Sequence, residues 1–113
     1  MACVSEAIGL ALPGSAGAPA PYETRDEYAE ASGRTVMELI ANNLRPRDIV
    51  TKDALINAAR IIACSGGSTN GALHLPAMAH EAGIDFDIFD VADVFKETPY
   101  IACLLYTSPS PRD

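Results

Sequence analysis

Two stretches with helical apolar spacing flank a pair of adjacent glycines, and this arrangement limits the possible folds more than any other feature of the sequence. Before the glycines, Thr51 is placed to cap a helix. After them, Ser68 or Thr69 can begin a second helix that runs through His80 and closes at Gly83. We therefore expect two helices joined by a tight turn. The apolar positions of the first helix are Ile56, Ala59, Ile62 and Ala63.

The N-terminal part of the sequence predicts two more helices, joined by an extended loop. The first covers residues 1–12, until Pro13-Gly14 interrupts its apolar spacing. The loop, residues 14–21, contains only glycine, alanine, serine and proline, which favours extended backbone. The second helix covers residues 23–43 and ends before Arg45-Pro46. Its predicted buried side chains are Tyr28, Val36, Leu39 and Ile40.

The remaining elements follow Gly83. Residues 84–88 alternate apolar side chains with aspartates, and a period of two predicts a short strand. Asp90 can then cap a brief helix that Thr98-Pro99 ends, and a further short strand can follow at 100–102. Helices that alternate with short strands predict an α/β fold, of which this chain is a helix-rich slice. Pro76 should kink the helix that precedes Gly83, because a hydrogen bond is lost there.

The glycine pair and the three polar residues after it form the candidate binding site. Glycines let backbone amides approach a ligand, and the following helix N-terminus favours an anion such as a carboxylate or a phosphate. Ser68, Thr69 and Asn70 are the candidate ligand-binding residues. Alternatively, the glycines only make a tight turn and Ser68 only caps the helix. A phosphate-binding P-loop is excluded because no lysine follows the glycines.

Other residues that can carry chemistry have simpler structural interpretations. His74 and His80 are six residues apart, so they lie on different helix faces and cannot form the i, i+4 metal pair. Cys3 and Cys64 lie among small apolar residues, where cysteine commonly behaves as a buried hydrophobe. An acidic run could attract a divalent cation, but its spacing is not that of a calcium-binding loop, which favours a solvated strand face and a helix cap. Its members are Asp85, Asp87, Asp90 and Asp93.

Composition excludes several classes of function. Fifteen acidic and eight basic residues give a net charge of −7, which repels the phosphate backbone of nucleic acid. No apolar run is long enough to cross a bilayer, and the start lacks the order of a secretory signal, so we expect no membrane partner. The three cysteines are odd in number and widely spaced, which suits a reducing compartment. We therefore expect a cytoplasmic protein.

Four stretches of the sequence carry a family resemblance. They are MACVSEAIGLALPGSAGAPAPY, RPRDIVTKDALINAA, GGSTNGALHLPAMAHEAGIDFD and FDVADVFKETPYIA, which fall between Met1 and Ala102. Together they resemble the family of dihydroxy-acid and sugar-acid dehydratases, including the 6-phosphogluconate enzyme, in which GGSTN followed by LHL is characteristic. The opening stretch narrows the resemblance towards the enzymes of branched-chain amino-acid synthesis.

This resemblance implies that residues 1–102 are an internal fragment of an N-terminal α/β layered domain, inactive by itself. The family's enzymes use an iron–sulfur cluster, 2Fe–2S or 4Fe–4S, together with Mg²⁺, and they form homodimers or larger assemblies. Its cluster cysteines, metal-binding carboxylates, modified lysine and catalytic serine match no residue of this chain. Within this frame, Ser68, Thr69 and Asn70 become candidates for binding a small dihydroxy-acid substrate.

Two alternatives and two departures complete the sequence-based expectations. The alternatives are a sugar-acid or 6-phosphogluconate dehydratase of the same family, and a non-catalytic α/β module that binds an anion at residues 66–70. Beyond Ala102 the family would continue with an acidic residue, a leucine and a Lys-Pro-Gly-Gly-like turn. Residues 103–113 instead resemble translated sequencing-adapter sequence, so we expect a tail foreign to the family. The second departure is Gly71, where alanine or another side chain is common in relatives, and glycine slightly weakens the first turn of that helix. Met1 begins inside an apolar helical pattern, so we expect it to be an internal methionine.

Overall fold

The computed structural model describes residues 1–102, and within them the chain forms six α-helices and one short 3-10 turn. The turn is Ser15–Gly17, and the helices are α1 (Ala2–Ile8), α2 (Thr24–Ala41), α3 (Pro46–Ile49), α4 (Lys52–Cys64), α5 (Asn70–Ala82) and α6 (Ile88–Glu97). This part of the chain is helix-rich and contains no strand. The predicted foreign tail, residues 103–113, lies outside the described residues and stays a prediction.

Helix α4 lies at the centre of the packing, in contact with α1, α5 and α6. It begins as predicted, because Thr51 Oγ1 accepts a hydrogen bond of 3.2 Å from the Ala54 amide. Leu55 is completely buried, and burying a leucine side chain contributes about 1.5–3 kcal/mol. The buried core comprises Val4, Ile8, Val50, Leu55, Ala58, Ala59, Ile62, Ala63, Leu75, Ala79, Phe86 and Val91.

Helix α1 is shorter than predicted and ends before Gly9, not at Leu12. Gly9 adopts a φ of +96°, a left-handed conformation that closes a helix and that a side chain would strain. The Gly9 and Leu10 amides donate to the carbonyls of Glu6 and Ser5, at 3.1 and 2.9 Å. Val4 and Ile8 are buried as expected, but Leu12 lies beyond the helix and is only half-buried.

Helix α2 exists as predicted, but its predicted buried stripe is wrong. No residue of α2 is buried: Tyr28 and Leu39 are half-buried, and Val36 and Ile40 are 51 % and 66 % exposed. The core is formed by α1, α4, α5 and α6, with α2 outside it. The helical apolar spacing therefore predicted that α2 forms. It did not predict whether another element packs against its apolar face.

Pro46 begins a helix instead of ending one. Helix α2 already stops at Ala41, and Asn43 has a left-handed φ of +52°. Pro46 occupies the first position of α3, where its missing amide hydrogen is not needed. The Pro46 carbonyl accepts the Val50 amide at 2.9 Å, which closes this single helical turn.

The predicted strand at 84–88 is wrong, because a helix cap forms there. Asp87 Oδ1 accepts the Phe89 and Asp90 amides at 2.8 and 3.0 Å, and Asp90 Oδ2 accepts the Asp87 amide at 2.8 Å. This reciprocal capping box starts α6 at Ile88, so the cap is Asp87 and not Asp90 as predicted. Phe86 is buried, but Ile88 is exposed, so the alternation does not define one buried face. Thr98 ends α6 as predicted.

Residues 100–102 also form no strand. The Ile101 and Ala102 amides both donate to the Cys64 carbonyl, at 2.8 and 2.9 Å, so this segment returns to the end of α4. Both predicted strands are thus absent from the described residues, and these residues give no support of their own to the α/β prediction.

Helix α5 is predicted well at its C-terminal end. Gly83 has a φ of +71° and follows the last helical residue, and its amide donates to the His80 carbonyl at 3.1 Å. The helix continues through Pro76, whose predicted kink stays a prediction. Within residues 1–102, no helix has the length and apolar character needed to span a membrane.

Candidate functional site

The segment between α4 and α5, residues 66–70, is called the glycine turn below. Gly66 adopts a φ of +60°, which allows the chain to reverse direction directly after α4. The Gly67 amide donates to the Ile62 carbonyl at 2.8 Å, in the pattern that satisfies a helix C-terminus. The two glycines therefore do what the sequence predicts of them, which is to form a tight turn.

The three candidate residues of the turn lie together and are all exposed. Ser68 Oγ accepts the Asn70 amide at 3.2 Å, and the Ser68 and Thr69 carbonyls accept the Gly71 and Ala72 amides at 3.1 and 3.0 Å. Ser68 thus serves the start of α5, as the capping interpretation predicts, although Thr69 occupies the N-cap position. Thr69 and Asn70 are both on the exposed surface, and within residues 1–102 their side chains make no hydrogen bond.

The electrostatics at the start of α5 favour an anion. The helix has 13 residues, so its aligned peptide dipoles place partial positive charge at Asn70. The first turn of α5 carries no acidic side chain, whereas α4 and α6 carry Asp53 and Asp90 at the same place. In those two helices an acidic side chain already balances the dipole, so α5 differs from them in this respect.

The other residues considered from the sequence do not join the glycine turn in a metal site. His74 and His80 are both exposed on α5. The prediction that Cys3 is buried is wrong, because α1 turns Val4 and Ile8 towards α4 and leaves Cys3 exposed. Cys64 is half-buried, and its thiol donates to the Ile61 carbonyl at 3.5 Å.

The acidic run has structural partners for most of its members. Asp87 and Asp90 form the capping box of α6, and Asp93 pairs with Lys96 at 3.4 Å. The predicted helix cap therefore exists, but Asp87 provides it and not Asp90, and the predicted strand face is absent from the described residues. Within residues 1–102, no group of three or more histidine, cysteine, aspartate or glutamate side chains is arranged to hold a metal ion.

The role of Glu6 was not predicted from the sequence. Its carboxylate accepts the Gly14 amide at 2.6 Å and the Ala16 amide at 3.0 Å, so it holds the loop after α1 against that helix. One feature of the sequence indicated this contact: Glu6 is the single acidic residue in a helix that precedes a loop rich in glycine and alanine. Such a loop has many unpaired amides, and a carboxylate is a strong acceptor for them.

A groove of about 710 Å³ between α1, α3 and α5 was not predicted from the sequence. Its wall is mostly apolar and includes Val4, Val50 and Met78, with Arg47 and Glu81 among its charged members. The residues of the glycine turn do not line it. The groove and the turn are therefore separate features of the described surface.

Comparison with known proteins identifies the family. A model of the dihydroxy-acid/6-phosphogluconate dehydratase N-terminal region matches residues 1–111. Because this match covers most of the chain, the protein belongs to the dihydroxy-acid/6-phosphogluconate dehydratase family. The resemblance inferred from GGSTN, LHL and the opening stretch is thereby confirmed.

Individual relatives narrow the comparison. The chain is 78 % identical over 104 residues to a dihydroxy-acid dehydratase of Parvibaculum lavamentivorans, a match that covers 92 % of this chain and 18 % of the relative. A dihydroxy-acid dehydratase of Dinoroseobacter shibae is 70 % identical over the same length and with the same coverage. One from Carboxydothermus hydrogenoformans is 46 % identical over 109 residues, 96 % of this chain and 20 % of the relative. The chain thus spans about a fifth of the length of these relatives.

Proposed function

We propose that this chain forms part of the N-terminal domain of a dihydroxy-acid dehydratase, a hydro-lyase of valine and isoleucine biosynthesis. The full enzyme converts 2,3-dihydroxy-3-methylcarboxylates to 2-keto acids and water. The observation that carries the proposal is the 78 % identity over 104 residues to a relative with that name. The named relatives favour this activity over the 6-phosphogluconate reaction of the same family.

The complete domain is proposed to be an α/β layered domain in which these helices cover a sheet supplied by the remaining chain. Large apolar side chains on the described surface support this arrangement. Met37 and Ile40 on α2 are both 66 % exposed, Leu73 on α5 is 69 % exposed, and Phe89 on α6 is 75 % exposed. Met37 and Ile40 lie one helical turn apart on α2, and exposed apolar patches commonly mark surfaces that another element covers.

The glycine turn is proposed to bind the substrate. A 2,3-dihydroxy acid offers one carboxylate and two hydroxyls. The positive end of the α5 dipole suits the carboxylate, and the Thr69 hydroxyl and Asn70 amide suit the hydroxyl groups. Ser68 would contribute mainly by shaping the turn, because its Oγ already accepts the Asn70 amide. In this proposal the three residues bind and orient substrate, and none of them moves a proton.

The iron–sulfur cluster, 2Fe–2S or 4Fe–4S, and Mg²⁺ are proposed to be held by residues of the longer enzyme. Residues 1–102 do not fit either group, because they offer no cluster of three potential ligands. The enzyme is further proposed to be a cytoplasmic homodimer or larger homo-oligomer, and the 113-residue chain is expected to be inactive alone.

A chimeric enzyme tests the proposal. The matched segment of the Parvibaculum lavamentivorans dehydratase is replaced by the corresponding residues of this chain, and 2-keto acid formation from 2,3-dihydroxy-3-methylbutanoate is measured. We expect an active enzyme. A folded, cofactor-loaded chimera without dehydratase activity would refute the proposal.

The same chimera tests the substrate-binding residues. Replacing Thr69 and Asn70 by alanine is expected to raise KM about tenfold, the factor that corresponds to about 1.4 kcal/mol of lost binding. Asn57→Ala, on the exposed surface of α4, is the control and should leave KM unchanged. Equal KM values for both variants would remove the glycine turn from the substrate site.

A further inference from the structure

Both ends of the glycine turn rest on a single residue, Ile62 of α4. At the first end, the Gly67 amide donates to the Ile62 carbonyl at 2.8 Å, and a Cβ at Gly67 would stand 3.3 Å from Ile62 Cα and Cγ2. At the other end, Gly71 is buried, and a Cβ there would overlap Ile62 Cδ1 and stand 3.1 Å from Cγ1. The turn therefore approaches α4 closely because Gly67 and Gly71 have no side chains.

Ile62 is not free to move away from the turn. It is only 5 % exposed and belongs to the same core cluster as Leu55, Leu75 and Ala79. Side chains in such a core are closely packed, so a displacement of Ile62 would disturb its neighbours. Because Ile62 Cδ1 is packed in this core, a side chain at Gly71 fits only if Cδ1 or the exposed turn shifts.

We infer that Ile62 is a positioning residue for Ser68, Thr69 and Asn70, which it holds in place through its contacts with Gly67 and Gly71. The inference rests on the proposed function, because the position of these residues affects the reaction only if they bind substrate. It adds to that function a residue that never touches the substrate. It also gives Gly71 a role: a glycine there allows the close approach of α5 to Ile62.

Enlarging Gly71 and shortening Ile62 tests the contact between them in the 113-residue chain. Gly71→Ala introduces the overlap with Ile62 Cδ1. Ile62→Val removes Cδ1 and keeps Cγ1 and Cγ2, from which the new Cβ would stand 3.1 and 3.6 Å, so the double variant fits after a small shift. Ile8→Val is the control, because it makes the same change at an equally buried isoleucine on α1, a helix that contributes no residue to the glycine turn. The readout is the NMR chemical shift and hydrogen exchange of the amides of residues 67–70.

Gly71→Ala should shift these amide resonances and speed the exchange of the Gly67 amide, and the double variant should return both towards the original values. Ile8→Val should leave them unchanged. If Gly71→Ala leaves the amides in place, or if the double variant fails to restore them, the inference is wrong. If Gly71→Ala does not fold, the Ile62→Val single variant tests the inference instead. Removal of Cδ1 should then shift the amide resonances of the turn, and unchanged resonances would contradict the inference.

A kinetic readout in the chimeric enzyme separates positioning from a general loss of stability. Gly71→Ala should raise KM about fivefold, as expected for one weakened hydrogen bond to substrate, with recovery in the double variant and little change in kcat. Ile8→Val should change neither constant. An unchanged KM in Gly71→Ala would overturn the inference. A chimera that is inactive without any of these substitutions would refute the proposed function, and the amide data would still decide the role of Ile62.

Discussion

The backbone amide of Gly14 donates a 2.6 Å hydrogen bond to the side-chain carboxylate of Glu6, eight residues earlier. The second oxygen of the same carboxylate accepts the Ala16 amide at 3.0 Å. Glu6 therefore does for the loop after α1 what a capping residue does for a helix: it satisfies amides that have no other partner. This fixes the path by which the chain leaves α1.

Replacing Glu6 by glutamine should destabilise the chain by about 1 kcal/mol, since one carboxylate oxygen that accepts an amide becomes an NH₂ group that cannot. Urea denaturation followed by circular dichroism measures the change. Glu81→Gln is the matched control: Glu81 is exposed and makes no hydrogen bond within residues 1–102, so its replacement should stay within about 0.5 kcal/mol. Equal effects of the two variants would show that the Glu6 contacts contribute nothing.

The capping box of α6 gives a second prediction. Asp87→Ala removes the acceptor for two amides and should cost about 1 kcal/mol, the usual value for loss of a helix N-cap. Asp85→Ala removes an equal charge from an exposed position two residues earlier and should have little effect. The comparison uses the midpoint of thermal unfolding at one pH. A similar loss in both variants would indicate a charge effect in place of capping.

Two glycines should respond to alanine in opposite directions. Gly33 lies inside α2, where a Cβ would meet nothing within 4 Å, so Gly33→Ala should stabilise by about 0.5–1 kcal/mol. Gly83 also has open space around it, but its φ of +71° is left-handed, and alanine there should cost about 1–2 kcal/mol. Urea denaturation of both variants measures the sign of each change in the free energy of unfolding. Stabilisation by Gly83→Ala would contradict the left-handed helix end.

The helices around the glycine turn could be predicted from sequence because their end signals are local. Thr51 and Gly83 act through their own backbone and its nearest neighbours, so the start of α4 and the end of α5 follow from residue type. The burial of α2 could not be predicted in this way. Helical spacing in Val36 and Ile40 indicates an apolar face but does not identify what packs against it.

The false strand at 84–88 has an equally local cause. An aspartate followed three residues later by another acidic residue is also the pattern of a capping box, and at Asp87 and Asp90 this pattern prevailed over the alternation. A short alternating segment can form a strand only with a partner, and residues 1–102 supply none. At the candidate site, residue types predicted the turn, but the contact of Gly71 with Ile62 depends on how α4 and α5 pack.

The start of α3 gives a pH-dependent prediction. The side chain of Arg45 bonds both oxygens of Asp48 at 3.3 Å, and its amide donates to Oδ2 at 2.8 Å. These hydrogen bonds hold the pKa of Asp48 below its ordinary value, and the bond from the Arg45 side chain has the largest effect. Because the folded pKa is the lower one, the contribution to stability is complete above the ordinary pKa of an aspartate and is lost as the pH falls through the folded pKa.

Arg45→Ala should therefore raise the pKa of Asp48 towards its ordinary value, and the part of the shift due to the backbone amide should remain. NMR titration of the Asp48 carboxyl carbon measures this directly. Arg47→Ala removes the same charge two residues away and, as Arg47 makes no bond to Asp48, should move the pKa much less. Equal shifts in both variants would mean that long-range charge lowers the pKa, and the Arg45 bonds would then have no specific role at this helix start.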